Sequence, residues 1–86
     1  MTVAVLLPSI LAAEAGGQNR FELEAKTVGD ALRALPVANL LFDERGELRR
    51  LVNVYVDGTD IRGGDGVEMR LTEGATLRVV QAVAGG

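Results

Sequence analysis

The chain has 86 residues, 48% of them apolar and 24% charged, a composition that fills one small globular domain and excludes a two-domain or a disordered reading. It contains no cysteine and no histidine, which removes disulfide staples, thiolate and imidazole nucleophiles, histidine base catalysis and the usual ligands of structural zinc. The formal net charge of -3 argues against nucleic acid, which is bound through lysine and arginine neutralising phosphate, and suits a partner with basic surfaces.

The first element is Thr2-Val3-Ala4-Val5-Leu6-Leu7, β-branched and apolar, which predicts a strand ended by a turn at Pro8-Ser9. The same residues superficially resemble the apolar part of a signal peptide, but no lysine or arginine precedes them and Pro8 interrupts the run. No stretch reaches the roughly 18 apolar residues of a membrane span. A cytoplasmic protein without a membrane partner is therefore expected. Gly16-Gly17-Gln18-Asn19 reads as a loop. Arg20 to Ala25 then alternates polar with apolar residues, as a half-buried strand does, with Phe21, Leu23 and Ala25 facing the core. Residues 2 to 25 are thus expected to form a hairpin with a long connection.

Thr27 precedes Val28, Ala31, Leu32 and Leu35 at helical spacing. The threonine suits an N-cap, and Asp30 suits the positive end of the helix dipole. Pro36 ends this helix near Leu35 by denying it a donor and helical geometry. A short turn follows in Val37 to Phe42, and Asp43 to Glu47 forms an exposed loop. Leu51 to Val56 is the strongest predicted strand, closed by the turn dipeptide Asp57-Gly58. Thr59 to Arg62 is at most a short return strand. Gly63 to Gly66 breaks the chain, Val67 to Leu71 places apolar residues alternately, and Thr76 to Val83 is the last strand. One helix for four or five strands predicts an α+β domain with the helix across one face of a mixed sheet. With only Phe21, Phe42 and Tyr55 as aromatics, the core has to be aliphatic.

Chemistry-bearing patterns are few. Gly63-Gly64-Asp65-Gly66 lacks the spacing and the Lys-Ser/Thr of a phosphate loop, and Asp57, Asp60 and Asp65 lack the spacing of a calcium loop. Glu22 and Glu24 fall on the polar face of an alternating strand. Arg45, Arg49 and Arg50 are interleaved with Asp43, Glu44 and Glu47, as in a solvated loop. No nucleophile stands beside a base. The ending Ala82-Val83-Ala84-Gly85-Gly86 carries more information. Two glycines let backbone enter a narrow channel, and Val83 to Gly86 would span about 13 Å if extended. From these residues alone a frayed glycine-rich terminus explains the ending better than a reactive carboxylate does.

Thr27-Val28-Gly29-Asp30-Ala31-Leu32, Val52-Asn53-Val54-Tyr55-Val56-Asp57-Gly58, the Ile61-Arg62 return, Leu71-Thr72-Glu73-Gly74 and the terminal Ala-Val-Ala-Gly-Gly, in that order, resemble the MoaD/ThiS family of ubiquitin-like sulfur-carrier proteins. Leu7-Pro8-Ser9-Ile10-Leu11 and Gly16-Gly17-Gln18 are most similar to its CysO-like branch. The resemblance covers nearly the whole chain and implies a β-grasp fold in one domain, residues 1–86, with residues 82–86 as an extended reactive tail.

It also implies a non-catalytic role. An E1-like adenylyltransferase would use MgATP to activate the carboxylate of Gly86, and a sulfur donor would leave a thiocarboxylate for cysteine, thio-natural-product, molybdopterin or thiamin biosynthesis. Gly86 carries the reacting group, Gly85 gives access, and Ala84 and Val83 are gripped by the partner's channel. Strand alternation makes Leu7, Val54, Val56 and Val80 candidates for a docking patch on the sheet face away from the helix, with a place in the core as an equally good reading. The implied partners are the E1-like enzyme, a sulfur-accepting biosynthetic enzyme and a metalloprotease that trims carrier adducts; no cofactor or metal is bound intrinsically. The alternatives are a ubiquitin-like modifier forming isopeptide bonds and a structural subunit whose tail plugs into an enzyme. Two departures concern partner geometry: Ala75 follows Gly74 where family members often have Asp, and Gln81 stands where many have proline.

Overall fold

The computed structural model describes residues 1–81. Five strands form one mixed sheet: β1 (Thr2–Leu6), β2 (Arg20–Glu24), β3 (Val52–Val56), β4 (Thr59–Asp60) and β5 (Thr76–Gln81), in the order β2-β1-β5-β3-β4. β5 runs parallel to β1 in the centre, and the remaining pairs are antiparallel. β1 and β2 make the expected hairpin, with Val3 level with Leu23 and Val5 with Phe21.

The long connection in that hairpin holds a helix, α1 (Ser9–Glu14), where the sequence predicts only a turn and a loop. Its six residues bury only Leu11 and Ala12, too few contacts to set a period. Pro8 fits as the residue that starts it, since a proline at a helix start forgoes a donor that has no intrahelical partner there. Gly16 and Gly17, at positive φ, end it, and the Gly17 N–H returns to the Ala12 carbonyl at 2.8 Å.

The expected helix is α2 (Val28–Arg33), capped by the Thr27 hydroxyl, which accepts from the Asp30 N–H at 3.2 Å. A second short helix, α3 (Ala38–Leu41), stands in place of the expected turn. The helical layer is thus three short pieces and two 3-10 turns, Ile61–Gly63 and Gly66–Glu68, in place of one main helix. Val67 to Leu71 contributes only a single bridge, from Arg70 to Thr27, and no strand. The Asp57-Gly58 turn has positive φ at both residues (49° and 88°), the geometry that joins a right-handed hairpin through two residues.

All three helices pack on one sheet face. Val3, Val5, Leu7, Val52, Val54, Val56, Leu77 and Val79 point from the strands into one cluster with Leu11, Val28, Leu32 and Leu41. Phe21 and Leu23 pack at its edge, half-buried, with Ala25 buried beside them. Burying this aliphatic layer at about 25 cal/mol per Å² is the main favourable term for the fold, and no polar or charged residue is fully buried among those described.

Candidate functional site

The tail residues Val83, Ala84, Gly85 and Gly86 lie outside the described residues; the site is built here from the strand that leads to them. β5 is an internal strand, paired with β1 as far as Arg78 and with β3 to its last described residue, Gln81, which is level with Val52. The ladder to β3 fixes the strand up to that point.

The candidate docking patch divides. Leu7, Val54 and Val56 are buried, Val54 at 0% exposure, and belong to the core beneath the helices. Only Val80, 40% exposed, lies on the open face. The correction is one of strand phase. Side chains alternate, so Val52, Val54 and Val56 share the face toward the helices while Asn53 and Tyr55 share the other. Leu6 pairs in register with Arg78, and Arg78 with Tyr55, which makes Leu6, Tyr55, Arg78 and Val80 the outward set. The signal was present in the sequence, because Asn53, Tyr55 and Arg78 mark the wet phase of β3 and β5.

Two shallow clefts follow this outward row. One, of about 440 Å³, is lined by Tyr55, Asp57, Gly58, Thr76, Arg78 and Val80. The other, of about 200 Å³, runs from Leu6 and Pro8 past Val80 to Gln81, where the tail begins. A larger depression of about 480 Å³ lies on the helical side by Arg33, Asn39 and Arg49. There the Arg33 guanidinium sits 4.7 Å from the centre of the Phe42 ring, a cation–π contact. It is built from α2, α3 and the loop after them, not from β5.

Electrostatics on the open face is local. The Asn53 side-chain amide donates to Asp60 at 3.0 Å and the Arg62 N–H donates to it at 2.9 Å, and these bonds hold the Asp60 carboxyl below its ordinary value. Glu24 is lowered first by the Thr2 hydroxyl and then by the Met1 ammonium at 3.2 Å. Asp57 accepts from the Thr76 N–H at 3.0 Å. Among the described residues no group of three or more acidic, histidine or cysteine side chains is placed to hold a metal. Arg45, Arg49 and Arg50 are exposed, and the Asp43 carboxylate organises their loop by accepting from the Arg45 and Glu47 N–H groups. Among the described residues no helix is long and apolar enough to cross a membrane.

Set against known proteins, residues 5–86 match the model of the ThiS family. The sulfur carrier protein CysO of Mycobacterium tuberculosis is 32% identical over the full length of both chains. Its crystal structure superposes with a TM-score of 0.84, covering 94% of this chain and 99% of that one at 30% identity. CysO in the Amycolatopsis orientalis BexX/CysO complex gives 0.82 at 33% identity, over 98% of this chain and 99% of the other. Small archaeal modifier protein 1 of Haloferax volcanii also gives 0.82, at 28% identity over the whole of both chains. The fold in all these comparisons is the ubiquitin-like β-grasp.

Proposed function

Because the chain belongs to the ThiS family, we propose that it is a sulfur carrier whose reactive group is the carboxylate of Gly86. The observation that carries this reading is that the family match continues through β5 to residue 86, so the similarity includes the Ala-Val-Ala-Gly-Gly segment as well as the fold. Full-length likeness to a protein named as a sulfur carrier supports it.

A carboxylate is a poor electrophile at neutral pH. The activating enzyme is an E1-like adenylyltransferase that joins the Gly86 carboxylate to AMP from MgATP, releasing pyrophosphate. Hydrosulfide, or a persulfide sulfur with a reductant, then attacks the acyl carbon; the bond to AMP breaks, AMP leaves with the electron pair, and a thiocarboxylate remains. The chain supplies no catalytic side chain. Its strands present the tail, and the glycines at 85 and 86 leave the acyl carbon open to attack from any side. The receiving enzyme builds cysteine or a thio natural product, and a metalloprotease trims the adduct.

A second reading, protein modification, is favoured by the likeness to the archaeal modifier. The two differ in what takes the activated tail. Incubated with the E1-like enzyme, MgATP, sulfide and a cell extract, a carrier returns as free chain with a carboxylate end. A modifier accumulates as a ladder of isopeptide adducts to lysines, and a ladder without sulfur transfer overturns the carrier reading.

A further inference from the structure

On the carrier reading a partner has to close over the segment beyond Gln81, and the strand registers identify what surrounds that point. Gln81 is level with Val52, Arg78 with Leu6, and Leu6 with Arg20. The end of β5 therefore lies beside the end of β1 and the starts of β2 and β3.

Three of the four large exposed apolar side chains among the described residues belong to this end: Ile10 (64% exposed), Leu51 (46%) and Val80 (40%). Leu51 adjoins Val52, and Ile10 is two residues beyond Pro8, which shares a cleft with Val80 and Gln81. The charged residues among them are Arg20, Arg50 and Arg78, all exposed. The ion pair found among the described residues joins Met1 to Glu24 at the opposite end of the sheet, so among the described residues these arginines are paired with no carboxylate. That opposite end carries both signs: Glu24 stands beside Thr2, Glu73 accepts from the Thr2 N–H and Asp57 from the Thr76 N–H, while the Met1 ammonium, Lys26 and Arg70 lie there as well; Glu22, level with Ala4, lies between the two ends.

The net value of -3 thus conceals a basic, apolar end at the close of β5. We propose that this end is the docking surface for the activating enzyme, and that the enzyme presents there an apolar surface rimmed by aspartate and glutamate. Exposed apolar groups ringed by charges form the usual core and rim of a transient interface. Exposed guanidinium forks are suited to carboxylates. This replaces the basic partner expected from composition.

The inference rests on the carrier reading, and its test separates the two. Thiocarboxylate formation is followed at sub-saturating carrier with the E1-like enzyme of the same organism, MgATP and sulfide. The R20E/R78E variant is compared with K26E/R70E, which changes net charge equally at exposed sites at the opposite end, after circular dichroism shows both folded. R20E/R78E loses about tenfold in kcat/KM, mainly through KM, while K26E/R70E stays near wild type. Raising salt from about 50 to about 300 mM weakens the wild type and leaves R20E/R78E nearly unchanged. Equal losses in the two variants, or none in R20E/R78E, overturn the docking surface while leaving the carrier reading intact. A wild-type chain that gains no sulfur overturns both.

Discussion

Thr27 illustrates how much a single side chain contributes in a helix of six residues. Its hydroxyl satisfies the Asp30 N–H, one of four donors that the first turn leaves without intrahelical partners. Thr27→Ala is expected to cost about 1 kcal/mol and to lower Tm by roughly 5 °C in a domain of this size, read by thermal denaturation. Glu24 makes a pH-dependent contribution. Its carboxyl is held below the ordinary range by the Thr2 hydroxyl and the Met1 ammonium. A depressed folded-state value means that the contribution is complete above the unfolded value of about 4.3 and is lost as pH falls through the folded one. Asp60, lowered by Asn53 and Arg62, acts in the same direction. Stability is therefore expected to fall on acidification below about pH 4.5, with a shallower fall in Glu24→Gln, as equilibrium urea unfolding at a series of pH values measures. An equal slope in the variant would assign the acid sensitivity to other carboxylates.

At the scale of elements, Arg49 to Leu51, the exposed residues just before β3, are tied down by the side chain of Arg62. The Arg62 guanidinium donates to the Arg49 carbonyl at 3.0 Å and to the Arg50 carbonyl at 3.2 Å, tying the residues before β3 to the turn after β4. Arg62→Ala removes both bonds and should open the segment locally, since exposed connections with few buried contacts are the first to unfold. Faster trypsin cleavage after Arg49 and Arg50, with global Tm lowered by only a few degrees, is the expected result. Unchanged cleavage would show that the backbone bonds from Arg49 to Leu41 and from Val52 to Arg49 suffice.

The strands, α2 and the β3–β4 turn were legible in the sequence because each carries a period or a turn dipeptide. The helices α1 and α3 were not, because segments of six and four residues are fixed by packing on the sheet rather than by a repeat. The docking candidates failed for a related reason. In Val52-Asn53-Val54-Tyr55-Val56 the polar members mark the outer phase, but Leu7, in an unbroken apolar run, takes its face only from the neighbouring strands.

For the whole molecule the sheet does two jobs with its two faces. The inner face supplies the core, and the outer face, with the strand end at Gln81, supplies the surface from which the tail departs. Apolar groups and arginines gather at that end, the other carries both signs, and the sum of charges describes neither. The proposed chemistry needs nothing further from the chain than a stiff strand, a complementary end and an accessible carboxylate, which is coherent with a sequence free of cysteine and histidine. The most direct measurement is intact-protein mass spectrometry of the chain after incubation with the E1-like enzyme, MgATP and sulfide, beside a chain lacking Gly86. A mass gain equal to exchanging one oxygen for sulfur in the full-length chain, lost on reaction with the acceptor enzyme and absent from the truncated chain, is the predicted result. An unchanged mass in the presence of an active enzyme, or the same gain in the chain lacking Gly86, would contradict a sulfur-carrying terminus at Gly86.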